Sequence, residues 1–387
     1  MAVIPSEVVD AFRKQFKTDA TPCIYRAPGR VNLIGEHTDY NLGFVFPIAL
    51  QMACYVAIAP TQQTQLRIYS DDWNEEFLIP AAVVAGAIPA QHWSDYVVGV
   101  AHELAKLEVP LRGADLWIKS EVPAGSGLSS SAALEVSTAF ALLGSRSMEP
   151  LEIARLAQRA ESQFVGMPCG IMDQYASVFG RDHFAIQIDC RSLEHQYAHL
   201  PEDVSIIAVN SNVKHELGTS AYRERVAECR QAVEAIQQFD PSVRSLRDVS
   251  LSLFQKIEEK IPSVPRRRAR HIISDSQRVL DLAAAAQAND LREMGRLFVA
   301  SHRSMQYDYE ISAEEIDFLV DTAIKLPGVY GARMTGGGFG GCTVNLVAPD
   351  RVEEFQEALA SAYQERFSLT PAFYDCIPGP GAGRVSC

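Results

Sequence analysis

Residues 122–133 read VPAGSGLSSSAA and run straight into an apolar helical pattern, and that junction constrains the chain more than any other segment. A Gly/Ser loop opening onto a helix is suited to cradle a phosphate. Glycines let the main chain approach an anion closely, the first helical N–H groups point at it, and the helix dipole favours negative charge. Gly125, Ser126, Gly127, Leu128, Ser129, Ser130 and Ser131 are the candidate contacts, and a nucleotide triphosphate is the expected anion. No G-x-x-x-x-G-K-[ST] occurs and no G-x-G-x-x-G follows a first strand, so neither a P-loop nor a Rossmann turn is implied. Alone, such a run is as often a turn or an N-cap, and it needs partners elsewhere in the chain.

Two segments supply them. Residues 27–50, APGRVNLIGEHTDYNLGFVFPIAL, set Arg30, Glu36, His37 and Asp39 among apolar residues and glycines, where charges need partners. Residues 334–347, MTGGGFGGCTVNLV, place a glycine run between a helical segment and a β-rich one, which suits a close backbone approach better than a flexible linker.

These three segments, in this order, resemble the signature motifs of the GHMP kinases, and GRVNLIGEHTDYN resembles in particular the galactokinases. GMPCGIMDQ at 166–174, SNVKHELGTSAY at 211–222 and SHRSMQYDYEIS at 301–312 extend the resemblance over nearly the whole chain. One departure is Leu42, where galactokinases usually carry a small or acidic residue; it makes the sugar-side loop more apolar. The resemblance implies an α+β protein of two domains, residues 1–195 and 196–387, the first ribosomal-S5-like and the second ferredoxin-like, with the active site between them. It also implies phosphoryl transfer from ATP to the C1 hydroxyl of galactose.

Phosphoryl transfer asks for positioning and charge neutralisation, and the matched residues divide between those tasks. Asp173 matches the aspartate that accepts the sugar's C1 hydroxyl proton, and Arg30 matches the guanidinium that keeps it ionised and faces the transferred phosphoryl group. Read without the resemblance, Asp173 is equally well a surface aspartate near a helix start. Mg²⁺ needs few protein ligands, and Glu161 with Ser130 or Ser131 matches them. Lys214 matches a basic residue reaching the nucleotide phosphates, and Trp93 matches the aromatic stacked on adenine, the alternative for Trp93 being a core position. Glu36, His37, Asp39, Tyr222 and the backbone of Gly170 match the galactose contacts. A buried carboxylate rejects an epimer that leaves it unpaired, which makes Asp39 the candidate reader of the axial O4; His37 has the alternative of serving a turn.

At 387 residues the chain exceeds one ordinary core, so two domains are expected, and its formal net charge of -13 argues against nucleic-acid or anionic-membrane partners. No apolar stretch reaches membrane-spanning length, and the N-terminal segment reads as an amphipathic helix without a signal-peptide core, so a cytoplasmic monomer or weak dimer is expected. Eight scattered cysteines without a C-x-x-C suggest free thiols, and no zinc-ligand spacing occurs.

Periodicity predicts strands near 24–26, 54–58, 66–69, 116–119 and 184–188, with helices over 97–107, 131–143 and 151–164. A boundary is expected within 191–203, followed by a strand at 204–209 and helices at 221–238, 267–287, 291–305, 313–325 and 352–367, with only 342–347 and 371–376 extended in the remainder. The basic run PRRRARH at 265–271 is isolated and lacks interleaved aromatics, so it reads as a solvated helix face. Two other readings stay open: a GHMP kinase for another sugar, and a catalytically inactive galactose- and ATP-binding sensor. The second is disfavoured because Ser131, Ala132 and Ala133 keep the ATP loop at full length.

Overall fold

A computed structural model describes residues 4–214 and 218–387, the side chains of 214–219 excepted. In chain order the elements are α1 (Pro5–Phe16), β1 (Cys23–Asn32), β2 (Phe44–Val45), β3 (Pro47–Pro60), β4 (Gln65–Ser70), β5 (Glu75–Pro80), α2 (Asp95–Lys106), β6 (Ala114–Ser120), α3 (Ser130–Leu143), α4 (Pro150–Arg159) and α5 (Met172–Phe179). There follow β7 (Phe184–Asp189), β8 (Glu194–His199), β9 (Ser205–Lys214), α6 (Gly218–Gln237), α7 (Leu251–Ile257), α8 (Ser263–Gln287), α9 (Leu291–Ser304), α10 (Glu314–Ala323), β10 (Val329–Thr335), β11 (Gly340–Val347), α11 (Val352–Phe367), β12 (Ala372–Asp375) and β13 (Gly383–Ser386). Two compact units emerge, neither continuous in sequence: Met1–Arg30 with Ala49–Asp182 and Gly379–Cys387, and Val31–Ile48 with His183–Pro378.

The first unit is built on a six-stranded sheet of order β13-β1-β3-β6-β4-β5. Along β3, Ala53, Tyr55 and Ala57 share a face with Val8, Phe12 and Phe16 of α1, whose i, i+4, i+8 spacing makes one apolar stripe. Cys54 points the other way and bonds to Ser137 of α3. A strand covered on both faces reads as an unbroken apolar run, which is how QMACYVAIAP reads. β5 lies at the sheet edge with Leu78 exposed, and its charged start, EEF, concealed it from a reading by periodicity.

The second unit holds a four-stranded antiparallel sheet of order β10-β11-β9-β12. Numbered within this sheet by sequence the order is 2-3-1-4, the strand arrangement of a ferredoxin-like fold. α10 and α11 bury Leu319, Val320, Phe355, Leu359 and Tyr363 against Ile207 and Val209 of β9. A separate apolar cluster joins α6, α7 and α8, and β2, β7 and β8 form a small sheet of their own.

The structure corrects four expectations. β8, β10 and β13 are strands where no extension was anticipated, and α7 is an added helix. The helix expected over 151–164 is α4 followed by a π-helical turn, Ala160–Val165. Two of the cysteines are not free, because β1 pairs with β13 and brings Cys23 and Cys387 together as a disulfide across a separation of 364 residues that no local spacing could reveal. The basic run is paired rather than merely solvated: Arg266, Arg267, Arg268 and Arg270 meet Glu259, Glu310, Glu228 and Glu258.

Candidate active site

Gly125, Gly127 and Ser129 all take positive φ and alternate with residues that do not, a backbone pattern that suits an anion nest. Gly29 of β1 lies so close beneath that a Cβ there would stand 2.6 Å from the Leu128 carbonyl oxygen. The same carbonyl accepts from the Arg30 N–H at 3.0 Å, so loop and strand are stitched together. Ser126 is buried and donates to the Pro123 carbonyl, which makes its side chain a brace of the loop. α3 then begins without a side-chain cap on its first turn, leaving orphan N–H donors at the loop's end.

Ser129 occupies the N-cap position, and its hydroxyl donates instead to Asp173 Oδ2 at 2.5 Å. Arg30 donates to the same carboxylate in a fork, Nε to Oδ1 at 2.8 Å and Nη2 to Oδ2 at 2.7 Å, while its Nη1 donates to the Gly127 carbonyl at 2.7 Å. Bidentate charge-assisted pairs of this kind are strong and fix orientation. Arg30 is 6 % exposed and Asp173 23 %, so the guanidinium is enclosed while the carboxylate still reaches solvent.

Behind Asp173 lie two further carboxylates that share one amide. Gln174 Nε2 donates to Glu161 at 2.6 Å and to Glu135 at 3.0 Å. Burial, with the charge of Asp173 added, pushes Glu161 up to about 7, and Ser131 bonds to it in the opposite sense. Burial also raises Glu135 well above the ordinary range, next to the charge of Glu161. Among the described residues, Oε1 of Glu135 and Oε1 of Gln174 have no partner. Glu161 with Ser131 is one carboxylate and one hydroxyl, a donor set that suits Mg²⁺ sharing its shell with phosphate oxygens and water. Among the described residues no cluster of three or more His, Cys, Asp or Glu could hold a metal by itself. Glu135 and Gln174 were missed from sequence, although a lone glutamate within the apolar helix SSAALEVSTAF was a signal that it had a purpose.

Beside the loop opens a cavity of about 440 Å³, lined by Trp93, Tyr96, Trp73, Ser130, Ser131 and Leu134 among others. Trp93 is part-exposed there, its indole N–H donating to Glu75 at 2.8 Å, so it is not a core residue. Trp73, 62 % exposed on the same cavity, was not singled out from sequence.

In the second unit Glu36 is buried and forms an ion pair with the equally buried Arg333; Thr335 and the Gly336 N–H also donate to it. Burial raises its pKa and Arg333 pulls the other way. His37, in a left-handed backbone conformation, has both ring nitrogens engaged. Nε2 donates to the Gly337 carbonyl at 3.1 Å, so Nδ1 accepts from the Tyr40 hydroxyl at 2.8 Å, and Tyr40 in turn pairs with Tyr309 at 2.7 Å. Tyr222 stacks against His37 with ring centroids 4.8 Å apart. Asp39 opens a short 3₁₀ turn, Asp39–Asn41, and is part-exposed. Gly170, in the first unit, lies in the connection before α5, and Lys214 ends β9 with a side chain outside the described residues.

Comparison with known proteins adds an independent line. Residues 10–60 match the galactokinase galactose-binding signature, 95–181 the GHMP kinase N-terminal domain and 282–365 the GHMP kinase C-terminal domain. A galactokinase of Roseiflexus sp. (strain RS-1) is 46 % identical, over 94 % of this chain and 93 % of its own. One of Chloroflexus aurantiacus is 44 % identical, over 99 % and 97 %. The crystal structure of Lactococcus lactis galactokinase complexed with galactose superposes with a TM-score of 0.94 at 34 % identity, covering 98 % of this chain and 99 % of that one. The mevalonate kinase of Methanococcus jannaschii, at 18 % identity and TM-score 0.66, shares the fold alone.

Proposed function

The chain belongs to the galactokinases, a branch of the GHMP kinases, and we propose that its reaction, transfer of the γ-phosphate of ATP to the C1 hydroxyl of α-D-galactose, is carried by Asp173 and Arg30. The observation supporting this assignment is the fork of Arg30 on Asp173, bridged to the phosphate loop by Ser129 and Gly127. A carboxylate offers about four acceptor positions, three of which are filled here, so the open one on Oδ1 is where the sugar hydroxyl donates. The C1 oxygen bonds to the γ-phosphorus as its proton passes to Asp173, and the bond from the γ-phosphorus to the bridging oxygen breaks to release ADP. Arg30 fixes the orientation of the Asp173 carboxylate through its two-pronged contact and places positive charge beside the moving phosphoryl group.

Trp93 stacks on adenine, and residues 125–131 with Lys214 hold the phosphates. Glu161 with Ser130 or Ser131 would hold Mg²⁺, which would supply neutralisation of phosphate charge. Glu36, His37, Asp39, Gly170 and Tyr222 hold galactose; since both ring nitrogens of His37 are used internally, its contribution is a wall rather than a hydrogen bond. We assign the two family domains to residues 1–195 and 196–387, and a cytoplasmic monomer or weak dimer suits the acidic composition.

The test is ADP release by wild type and Asp173→Asn across a panel of hexoses. The asparagine variant is expected to lose on the order of 10²–10⁴ in kcat with little change in the galactose KM. Retained turnover would remove Asp173 from the chemistry. Equal background in both proteins would point to a sensor, and a faster sugar than galactose to a different kinase.

A further inference from the structure

At the far end of α3 from the phosphate loop the first unit contains a second cavity, of about 430 Å³. α3 has 14 residues, so its two ends are about 20 Å apart. Ser130, Ser131 and Leu134 at its start line the nucleotide cavity, whereas Ala141, Leu142 and Gly144 at its end line this one.

Three arginines, all exposed, line it from separate parts of the chain: Arg112 from the connection before β6, Arg146 from the turn after α3, and Arg384 from β13. No aspartate or glutamate side chain lines the cavity. The contrast with the rest of the molecule is informative, because its arginines are commonly tied to carboxylates, as at Arg67 and Asp115 or Arg159 and Glu103, whereas among the described residues no ion pair involves these three. Arg146 alone could be read as complementing the negative end of α3. That reading leaves Arg112 and Arg384 unexplained. Arg384 is held in place by strand register, since it faces Tyr25 across the β1–β13 pair, three residues before the Cys23–Cys387 bond. Its charge lowers the Tyr25 pKa against the effect of burial.

Three exposed arginines around one small volume give it a local positive charge that an anionic ligand can meet. The chain is acidic overall, so the arrangement is not a by-product of excess arginine. Guanidinium forks match phosphate oxygens bidentately, and Ile58, Leu111 and Leu142 offer an apolar wall for the remainder of a ligand. The volume lies within the range of small-molecule sites. We propose that Arg112, Arg146 and Arg384 form a second ligand site, separate from the catalytic one, that binds a phosphorylated small molecule.

The experiment is calorimetric titration with inorganic pyrophosphate of enzyme saturated with galactose and a non-hydrolysable ATP analogue, so that the catalytic site is already filled. Parallel arms use ADP and galactose 1-phosphate. Each arm is repeated on Arg112→Ser/Arg146→Ser/Arg384→Ser, so that exchange at the catalytic site is common to both proteins and cancels. Wild type is expected to bind one pyrophosphate per chain, weakened at least about 30-fold in the triple variant, as loss of two or more charge-assisted contacts implies. Turnover by the triple variant in the absence of added phosphates should match wild type, which also shows that it folds; Arg384→Ser alone, at an exposed position, should give a partial loss of binding. An arm tighter than pyrophosphate identifies the nucleotide or the sugar phosphate as the better ligand of the same site. No saturable binding by wild type, or equal affinity in the triple variant, would overturn the proposal.

Discussion

A buried imidazole with both nitrogens engaged ties the stability of the second unit to pH. Burial holds the His37 pKa down to about 3, against 6.5 for the free side chain. Its contribution is therefore complete above pH 6.5 and is lost as pH falls toward 3, because only the unfolded chain takes up the proton. Between about pH 7 and about pH 5.5 the loss amounts to roughly 1 kcal/mol. His271 and His302, also lowered by burial, add to it with the same sign. Glu161 acts oppositely: its folded pKa is raised to about 7, so its contribution is present below 4.5 and disappears as pH rises through about 7. Denaturation of wild type and His37→Gln at the two pH values separates these terms, and the variant should show an acid-induced loss smaller by roughly 1 kcal/mol. Leu42 offers a second residue-level test. Its φ of 58° is left-handed and its side chain is 40 % exposed, so Leu42→Asn should raise stability by about 0.5–1 kcal/mol in a thermal melt. The pairings of Arg30 with Asp173 and of Glu161 with Ser131 were legible because motif and chemistry agreed. Gln174, Glu135 and Arg333 were not, because a buried polar residue bonded to other buried polar residues leaves no periodic trace.

Among the elements, the unforeseen strands share a cause. β10, VYGARMT, mixes a glycine and an arginine into an apolar run, and both make sense only against their neighbours: Arg333 pairs with Glu36, and Gly331 lies against Gly295 of α9. β8, EHQYAH, is an edge strand whose outward residues are polar, and β13 is four residues long. Helices fared better because an amphipathic stripe is written within the element itself, as in α1 and α9. The contact of α9 with β10 sets two effects against each other. Helix propensity favours Gly295→Ala by about 1 kcal/mol. The added Cβ, however, would collide with the Tyr330 carbonyl, a backbone atom of β10 that cannot swing aside as a side chain could. Overpacking of this kind costs about 1–3 kcal/mol or more, so the variant should be less stable than wild type by urea denaturation, with a loss exceeding about 1 kcal/mol. A stabilised variant would show that helix and strand separate easily there.

At the scale of the whole molecule, the chain's two ends are joined within one sheet. β13 adds to β1 at the edge, and Cys23 bonds to Cys387, closing nearly the entire sequence into a loop. Composition could not disclose this, since scattered cysteines ordinarily read as free thiols and only the fold brings these two together. A cross-link over so long a loop acts mainly on the unfolded chain and typically stabilises by about 2–4 kcal/mol, whereas a reducing cytosol keeps such pairs open. The bond therefore makes stability depend on redox state without touching the phosphate loop. Thiol titration of the unfolded protein should find the six free cysteines in oxidised material and all eight after reduction. Reductant should lower the melting temperature of wild type to that of Cys387→Ser, and should leave Cys387→Ser itself unchanged. Galactose phosphorylation at ordinary temperature should be the same in all of these states, because Arg30 and Asp173 are fixed by the loop and α5 rather than by β13. Eight free thiols in protein purified without reductant, or a reductant-insensitive melt, would mean that the two strands pair without the covalent link.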